Sequence, residues 1–593
     1  MSPASSVGGF APRTRATDNN PQGYMVDSAN YIQRPWKRMR LKAPQDSPRW
    51  LERPPLDDFR EALAFNEEIV YSSACSIAGI PLREFRRRCR NEVTDAARFY
   101  AEELGWQAKL PADAVDRPWF VTGHQPVLAH PGVWSKNFVA HGMARQTAGV
   151  SLNLIVDNDL LASTKISVPA RQDDRLVLQN IPFAEELSRT PWEEVEISSE
   201  DSSADMFAQF GARVCEAMQP WQIEPLMTRY WPAVIDRLPR TRRLSDLFSA
   251  GRHEIEMRWG ANNLELPISR MCQLPTCLQF IGHMLHHARE FAEIHNQVLA
   301  EYRRLYRIRS STHPVPALEV GDGRCEAPFW IWKAGERQRR RLFVQQRDGA
   351  VTLSDGRETI AILPPSDATA ANSAATVESL QEIACRGYRL RTRALTTTLF
   401  ARLAIGDLFV HGIGGAQYDE MTDRIINRFF GIPAPQFVTV TSTLHLPLEP
   451  ILGSERRISP GERGELARKL RDLEYNPDRY LLDSRDAKVA ALIAEKRDLC
   501  RRQNEVDALS REPTSQRRRR RAGNHHRCRR LREINAQLAP LVGAWKAELD
   551  DAARDLDRCA RDQHIRFHRE FAVWLYPEAE LRQFYGRFLP EPS

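Results

Sequence analysis

Strand, turn-rich loop, helix, strand occurs twice in this chain, and that repeat constrains the fold more than any other feature. The first copy opens with "RPWFVTGHQPVLAHPGVWSKNF" (117–138), and its second strand is "VSLNLIVDND" (150–159). The other is "DLFVHGIGGAQYDEMTDRIINRFFGIPAPQFVTVTST" (407–443). Each reads as a βαβ unit, whose two strands must run parallel. In the second unit, Met421, Ile425, Ile426, Phe429 and Phe430 fall on one face of a helix expected over 416–430. Asp419, Glu420 and Asp423 suit its first turns, where acids complement the helix dipole. A parallel sheet needs cover on both faces, and neither unit is large enough to provide it alone. The fold class expected is therefore α/β. Strands beginning near Trp119, Leu152, Leu408 and Gln436 should share one Rossmann-like parallel sheet, split by a mostly helical insertion.

The rest of the chain arranges itself around that split core. Residues 1–52, rich in Ser, Pro, Asn and Arg, read as a disordered tail in which Met25 is an alternative start. Residues 53–170 carry N-terminal helices and the first half of the core, and 386–450 carry the second half. The insertion, 171–385, includes a long amphipathic helix around "GHMLHHAREFAEIHNQVLAEYRRLYRIR" and a small β hairpin in "RLFVQQRDGAVTLSDGRETIAILP". In 451–572, Leu531, Ile534, Leu538, Leu541, Trp545, Leu549, Ala552, Leu556 and Cys559 form a heptad seam with a stutter. A weaker partner pattern runs through Val489, Ile493, Leu499 and Val506. The expectation is an antiparallel coiled-coil hairpin with a polar, arginine-rich tip and a kink at Pro540. Residues 573–593 form a C-terminal segment.

The chemistry concentrates where the core strands end. In open α/β sheets, ligands bind beyond the carboxyl ends of the strands, where helix N-termini present free N–H groups. Gly123 lets the first loop leave its strand, and His124, Gln125, His130 and Lys136 supply donors suited to phosphate or carboxylate. In the second loop, His411, Gly412, Gly414 and Gly415 occupy the equivalent place and permit close approach of an anion. Asp157 and Asp159 close the second strand; they either hold a ribose hydroxyl, an amine or a metal-bound nucleotide, or cap a turn. His283, His287 and Glu290 share a helix face but have no fourth ligand, and the cysteine pair of "CQLPTC" has no matching pair, so no metal site is expected.

Composition excludes several classes. The net charge of +7 is modest for 593 residues, and much of the excess sits in the run Arg517–Arg521. No aromatic residue interleaves with that run, so base stacking is not indicated and nucleic acid is not an expected partner. The ten cysteines lack paired spacing and read as reduced thiols. No run approaches the roughly 20 apolar residues of a membrane span. A cytoplasmic protein with no membrane partner is expected.

The order of these parts resembles the BshC family, the cysteine ligases of bacillithiol biosynthesis. "VTGHQP…HPGVWSKNF" is similar to the family's T-G-Q-Q segment, and "FVHGIGGAQYDEMTDRIINRFFGIPAPQFV" to its Y-I-G-G-P-G-E…F-G-V-P-P-V segment. The resemblance extends over about 117–585, through the helical hairpin and "FAVWLYPEAELRQFY". It implies a core related to class I aminoacyl-tRNA synthetases and a coiled coil that mediates homodimers. It also implies an ATP-using ligase, with Mg2+, that joins cysteine to an amino-sugar-type acceptor. By position, Gly123, His124, Gln125 and Lys136 correspond to the first family loop, and Gly414 and Gly415 to the second. His124 and Lys136 then stabilise phosphate charge in the transition state, and Asp157 or Asp159 holds an amine or ribose. The chain departs from the family in three places. His124 replaces a Gln, Asp157-Asn158-Asp159 stands for E-D-H-D, and "TVTSTLHLP" lacks the basic P-R-N-S pattern. The alternative is a catalytically degenerate scaffold that binds through the coiled coil and its basic tip.

Overall fold

The computed structural model describes residues 36, 38–172, 175–185, 187, 189–198, 201–347, 349–365, 370–450, 459, 461–508 and 517–591. Its centre is a six-stranded sheet of β1 (Arg49–Arg53), β2 (Trp119–His124), β3 (Val150–Ile155), β4 (Leu264–Pro267), β5 (Leu408–His411) and β6 (Phe437–Thr443). The spatial order is β1-β6-β5-β2-β3-β4. Five strands run parallel, and β1 pairs antiparallel with β6 at the edge. The four strands of the two βαβ units thus lie side by side, although more than 200 residues separate β3 from β5.

Alternation along β2 explains how both faces are filled. Trp119 and Val121 point into a core shared with Phe85, Cys89 and Val93 of α1 (Leu82–Leu104). Phe120 points the other way, towards Phe138, Val139 and Met143 of α2 (Pro131–Thr147), together with Val410, Val438 and Val440. Asp407 locks the sheet to α1. Its carboxylate pairs with Arg86 at 2.6 Å and Arg90 at 2.7 Å and accepts the Trp119 N–H at 2.8 Å. Burial opposes that negative charge, but the two guanidiniums prevail and hold its pKa below the usual carboxylate range.

Several expectations need correction. The segment before residue 53 is not all a tail: Arg49 pairs with Thr443 and Arg53 with Thr439 as the sheet's edge strand. Upstream, Trp36 Nε1 donates to Glu420 at 3.0 Å and the Met39 N–H to Tyr306 Oη at 2.8 Å. A lone edge strand draws its hydrogen bonds from its neighbour and needs no periodic apolar pattern of its own. The earlier part of the tail lies outside the described residues, apart from Trp36. The insertion contributes β4 to the central sheet. Its small hairpin is the middle of a five-stranded antiparallel sheet, ordered 359–363, 350–354, 340–347, 325–333, 388–392. A second antiparallel pair, Lys165–Gln172 with Arg175–Pro182, straddles the expected start of the insertion at 171.

The C-terminal helices pair as Ala487–Ala508 with Arg517–Leu538, and Glu462–Tyr475 with Gly543–Arg566. Val489, Ile493, Ile534 and Leu538 are buried between the first two, but Leu541 and Trp545 of the expected seam are exposed. A 3-10 turn over Ala539–Val542, containing Pro540, breaks the seam there. The Arg517–Arg521 run is helical, not part of a loop; the tip residues 509–516 lie outside the described residues. Among the described residues no helix is long and apolar enough to cross a membrane.

Candidate functional site

Beyond the carboxyl ends of β2, β3 and β5 lies a cleft of about 860 Å³, walled on its far side by the five-stranded sheet. Gly123, His124, Gln125, His130, Lys136, Asp159, His411, Gly412, Gly414 and Gly415 all line it. The two loops read from the sequence therefore meet, because their strands are neighbours: Val410 sits opposite Thr122, and His124 opposite Ile155.

The floor is built on α2. His130 caps the helix, its Nδ1 accepting the Gly132 N–H at 3.1 Å, and Pro131 opens the first turn without needing a hydrogen-bond acceptor. Gly132 is required, since a Cβ there would run into the Ser442 carbonyl oxygen. One turn on, Lys136 is 5% exposed, and its ammonium donates to the Gly123 carbonyl at 2.7 Å. Among the described residues no carboxylate pairs with it, and burial lowers its pKa from 10.5 to about 8. Burial, with Lys136 beside it, lowers His124 to about 3; burial, with Arg569 beside it, does the same to His130. Both imidazoles are neutral near pH 7, leaving Lys136 and, at the start of α2, Arg569 as the cations on this part of the floor.

The opposite lip is α3 (Ile413–Ile425), capped by Gly412. The glycines expected in a loop form its first turn. The Ala416 N–H reaches the Gly412 carbonyl at 3.0 Å, so those of Ile413, Gly414 and Gly415 precede the helical ladder. Space at two of these glycines is open: no atom lies within 4 Å of a Cβ placed on Gly414, and only Lys136 Cδ, at 3.9 Å, does so at Gly412, whereas a Cβ on Gly415 would meet His411 Nδ1 at 2.8 Å.

Asp157 and Asp159 separate. Asp159 stands on the wall with both oxygens engaged: one accepts from Gln125 Nε2, the other from Arg339 Nη2 at 3.0 Å. Asp157 does not line the cleft. It is buried behind β3, where it accepts the Ser269 N–H at 2.9 Å and the Ser269 hydroxyl. Burial, followed by the charge of Glu193, raises its pKa to about 8. Its contacts fasten β3 to the segment after β4, so the expected contact with a reacting group is corrected to a structural one.

Several site residues carried no local sequence signature. Trp330 sits 4.9 Å beneath the Arg339 guanidinium and 4.2 Å beneath that of Arg393, all three on the far wall. Arg569, just beyond the helix Gly543–Arg566, reaches the start of α2 and donates to Thr441 Oγ1 and the Ser442 carbonyl, both at 3.2 Å. Asp419 lies 2.8 Å from His411 Nε2. Below the first loop, His253, Glu256 and Glu265 bring their ligand atoms within 4.8 Å of one another, but the Arg252 guanidinium stands between the carboxylates, at 2.9 Å from Glu256 and 2.5 Å from Glu265. That cluster is an ion-pair network. His283 and His287 meet Phe429 edge-on, away from the cleft.

No model of a known family matches the chain, and no curated protein matches it.

Proposed function

We propose that this chain is an ATP-using ligase of the BshC-like type. On this reading a Rossmann-like core forms a carbon–nitrogen bond between an amino acid, cysteine by resemblance, and the amine of an amino-sugar-type acceptor. The observation that supports it is Lys136, a buried ammonium between two strand-end loops that pairs with no carboxylate among the described residues. A buried charge is costly unless paired, and here an incoming anion would supply the pairing.

The residues fit a nucleotide polyphosphate. Lys136 would neutralise phosphate charge, and the first turn of α3, with free N–H groups and no side chains at Gly414 and Gly415, would receive phosphate oxygens. Asp159 has no free oxygen for a metal, so Mg2+ would arrive on the phosphates and keep its waters. The paired C-terminal helices are the candidate dimer contact in this reading.

Thermal unfolding with and without Mg·ATP tests it. A ligand that binds only the native state stabilises by about 2.7 kcal/mol at a hundred times its Kd. Stabilisation by ATP that is abolished in Lys136→Met, together with cysteinyl hydroxamate formed from cysteine, ATP and hydroxylamine, is the expected result. No stabilisation at millimolar ATP overturns the ligase reading and leaves the scaffold alternative.

A further inference from the structure

His411 is the last residue of β5, and its imidazole is 4% exposed at the edge of the cleft. Asp419 sits 2.8 Å from Nε2 and is itself immobilised, with Arg402 at 2.7 Å and Thr398 Oγ1 at 2.7 Å. The other ring nitrogen faces the first turn of α3, and a Cβ on Gly415 would lie 2.8 Å from it. Any side chain at position 415 would cover that nitrogen. The Asp419 carboxylate, 2.8 Å from Nε2 although off the line of a ring N–H, is the negative charge that favours the ring proton on that nitrogen. The Nδ1 lone pair is then directed to the glycine turn, next to the place where Lys136 waits for an anion.

We propose that His411 is the proton acceptor of the ligation step and that Asp419 is its positioning residue; this rests on the ligase reading above. When the acceptor amine attacks the ATP-activated carboxyl, a C–N bond forms and the acyl C–O bond to phosphorus breaks. Phosphate or the nucleoside monophosphate leaves with the bonding electrons, and the surplus amine proton passes to Nδ1. Asp419 then faces an imidazolium and offsets its charge, the arrangement that makes a histidine an effective base in acyl transfer. Every charged group around the ring fits this cycle. Burial keeps the resting ring neutral, helped by Arg402 in the short helix before β5 and by Lys136 on α2, while Asp419 on α3 favours the protonated form. Asp423, also on α3, is paired with Arg402 at 2.5 Å. Phe409 and Phe437 pack on the ring at 4.3 and 4.9 Å and fix its plane.

Two measurements test the assignment. In 15N-histidine spectra of the whole protein, the resonance lost in His411→Gln should show a neutral ring protonated at Nε2 at pH 7, and Asp419→Asn should mix the tautomers. A ring protonated at Nδ1, or an imidazolium, overturns the proposal. The second measurement compares two acceptors with cysteine and ATP. Hydroxylamine is largely unprotonated at pH 7 and its weakly basic nitrogen gives up the surplus proton to water readily, so it depends on a base far less than glucosamine does. His411→Gln should keep ATP-induced stabilisation and should slow glucosamine amide formation at least about tenfold more than it slows hydroxamate formation. Equal slowing with both acceptors, or none with either, overturns it. If the unsubstituted protein is not stabilised by ATP, the ligase reading falls and this role falls with it, whatever the tautomer.

Discussion

Replacing Lys136 with Met should reshape the pH dependence of stability in a calculable way. The ammonium has a folded pKa of about 8 against 10.5 in an unfolded chain. Between those values the unfolded lysine still holds its proton while the folded one has lost it. The unfolded state binds more protons there, so stability rises with pH across the window. Below pH 8 the full cost of keeping the buried charge applies, about 3 kcal/mol at about 1.4 kcal/mol per pH unit. At pH 10 most of it has been relieved. Methionine has no such dependence. Its own effect, the loss of the 2.7 Å hydrogen bond to the Gly123 carbonyl, enters with little change at both pH values. The wild-type protein should therefore gain about 2–3 kcal/mol relative to Lys136→Met between pH 7 and pH 10. Urea denaturation followed by tryptophan fluorescence at both pH values measures it, and the tyrosines titrating near pH 10 cancel between the two proteins. Parallel pH profiles would refute the argument, because they would show that Lys136 is paired or solvated. Adding ATP at pH 7 should stabilise only the wild type.

Asp407→Asn should cost about 3–5 kcal/mol, since it leaves the buried Arg86 and Arg90 without their shared counter-charge; urea titration at pH 7 reads it. Acid should reproduce that loss in the wild type, because the contribution of a carboxylate with lowered pKa is present above its unfolded value and disappears as pH falls through the folded one. Two glycines in the same cleft should behave oppositely. Gly132→Ala forces a Cβ against the Ser442 carbonyl and should lower stability by about 1–3 kcal/mol, whereas Gly414→Ala meets open space and should leave the unfolding curve in place while weakening ATP. His130→Asn keeps an oxygen acceptor for the Gly132 N–H, so α2 should stay capped at pH 7. The folded pKa of His130 is about 3, below its unfolded value, so the unfolded state takes up the proton first and stability falls as pH drops from 6.5. The asparagine variant should lose less over that range, and circular dichroism during acid titration shows whether it does.

What the sequence determined by itself is the part fixed by local pattern. Apolar runs ended by glycine or acids, followed by helices with a single apolar face, identify β2, β3, β5 and β6 and the loops at their ends. A parallel sheet then brings those loops to one edge, so Gly123, His124, Lys136 and the turn from His411 to Gly415 could be placed together before any coordinate was known. Tertiary structure decided what local pattern does not encode. β4 has four residues and β1 lies among prolines and arginines; each exists because a neighbouring strand offers it hydrogen bonds. Asp157 and Asp159 are two residues apart with the same side chain. Backbone direction alone sends one into the protein behind Ser269 and the other onto the cleft wall beside Arg339. Arg339, Arg393 and Trp330 reach the site from a sheet formed far along the chain, and Asp419 finds His411 only because α3 begins at Ile413 and turns its second layer back over β5. Electrostatics follows the same division. A lysine is visible in a sequence, but whether it meets a carboxylate or lies buried without one depends on every chain segment that packs around it.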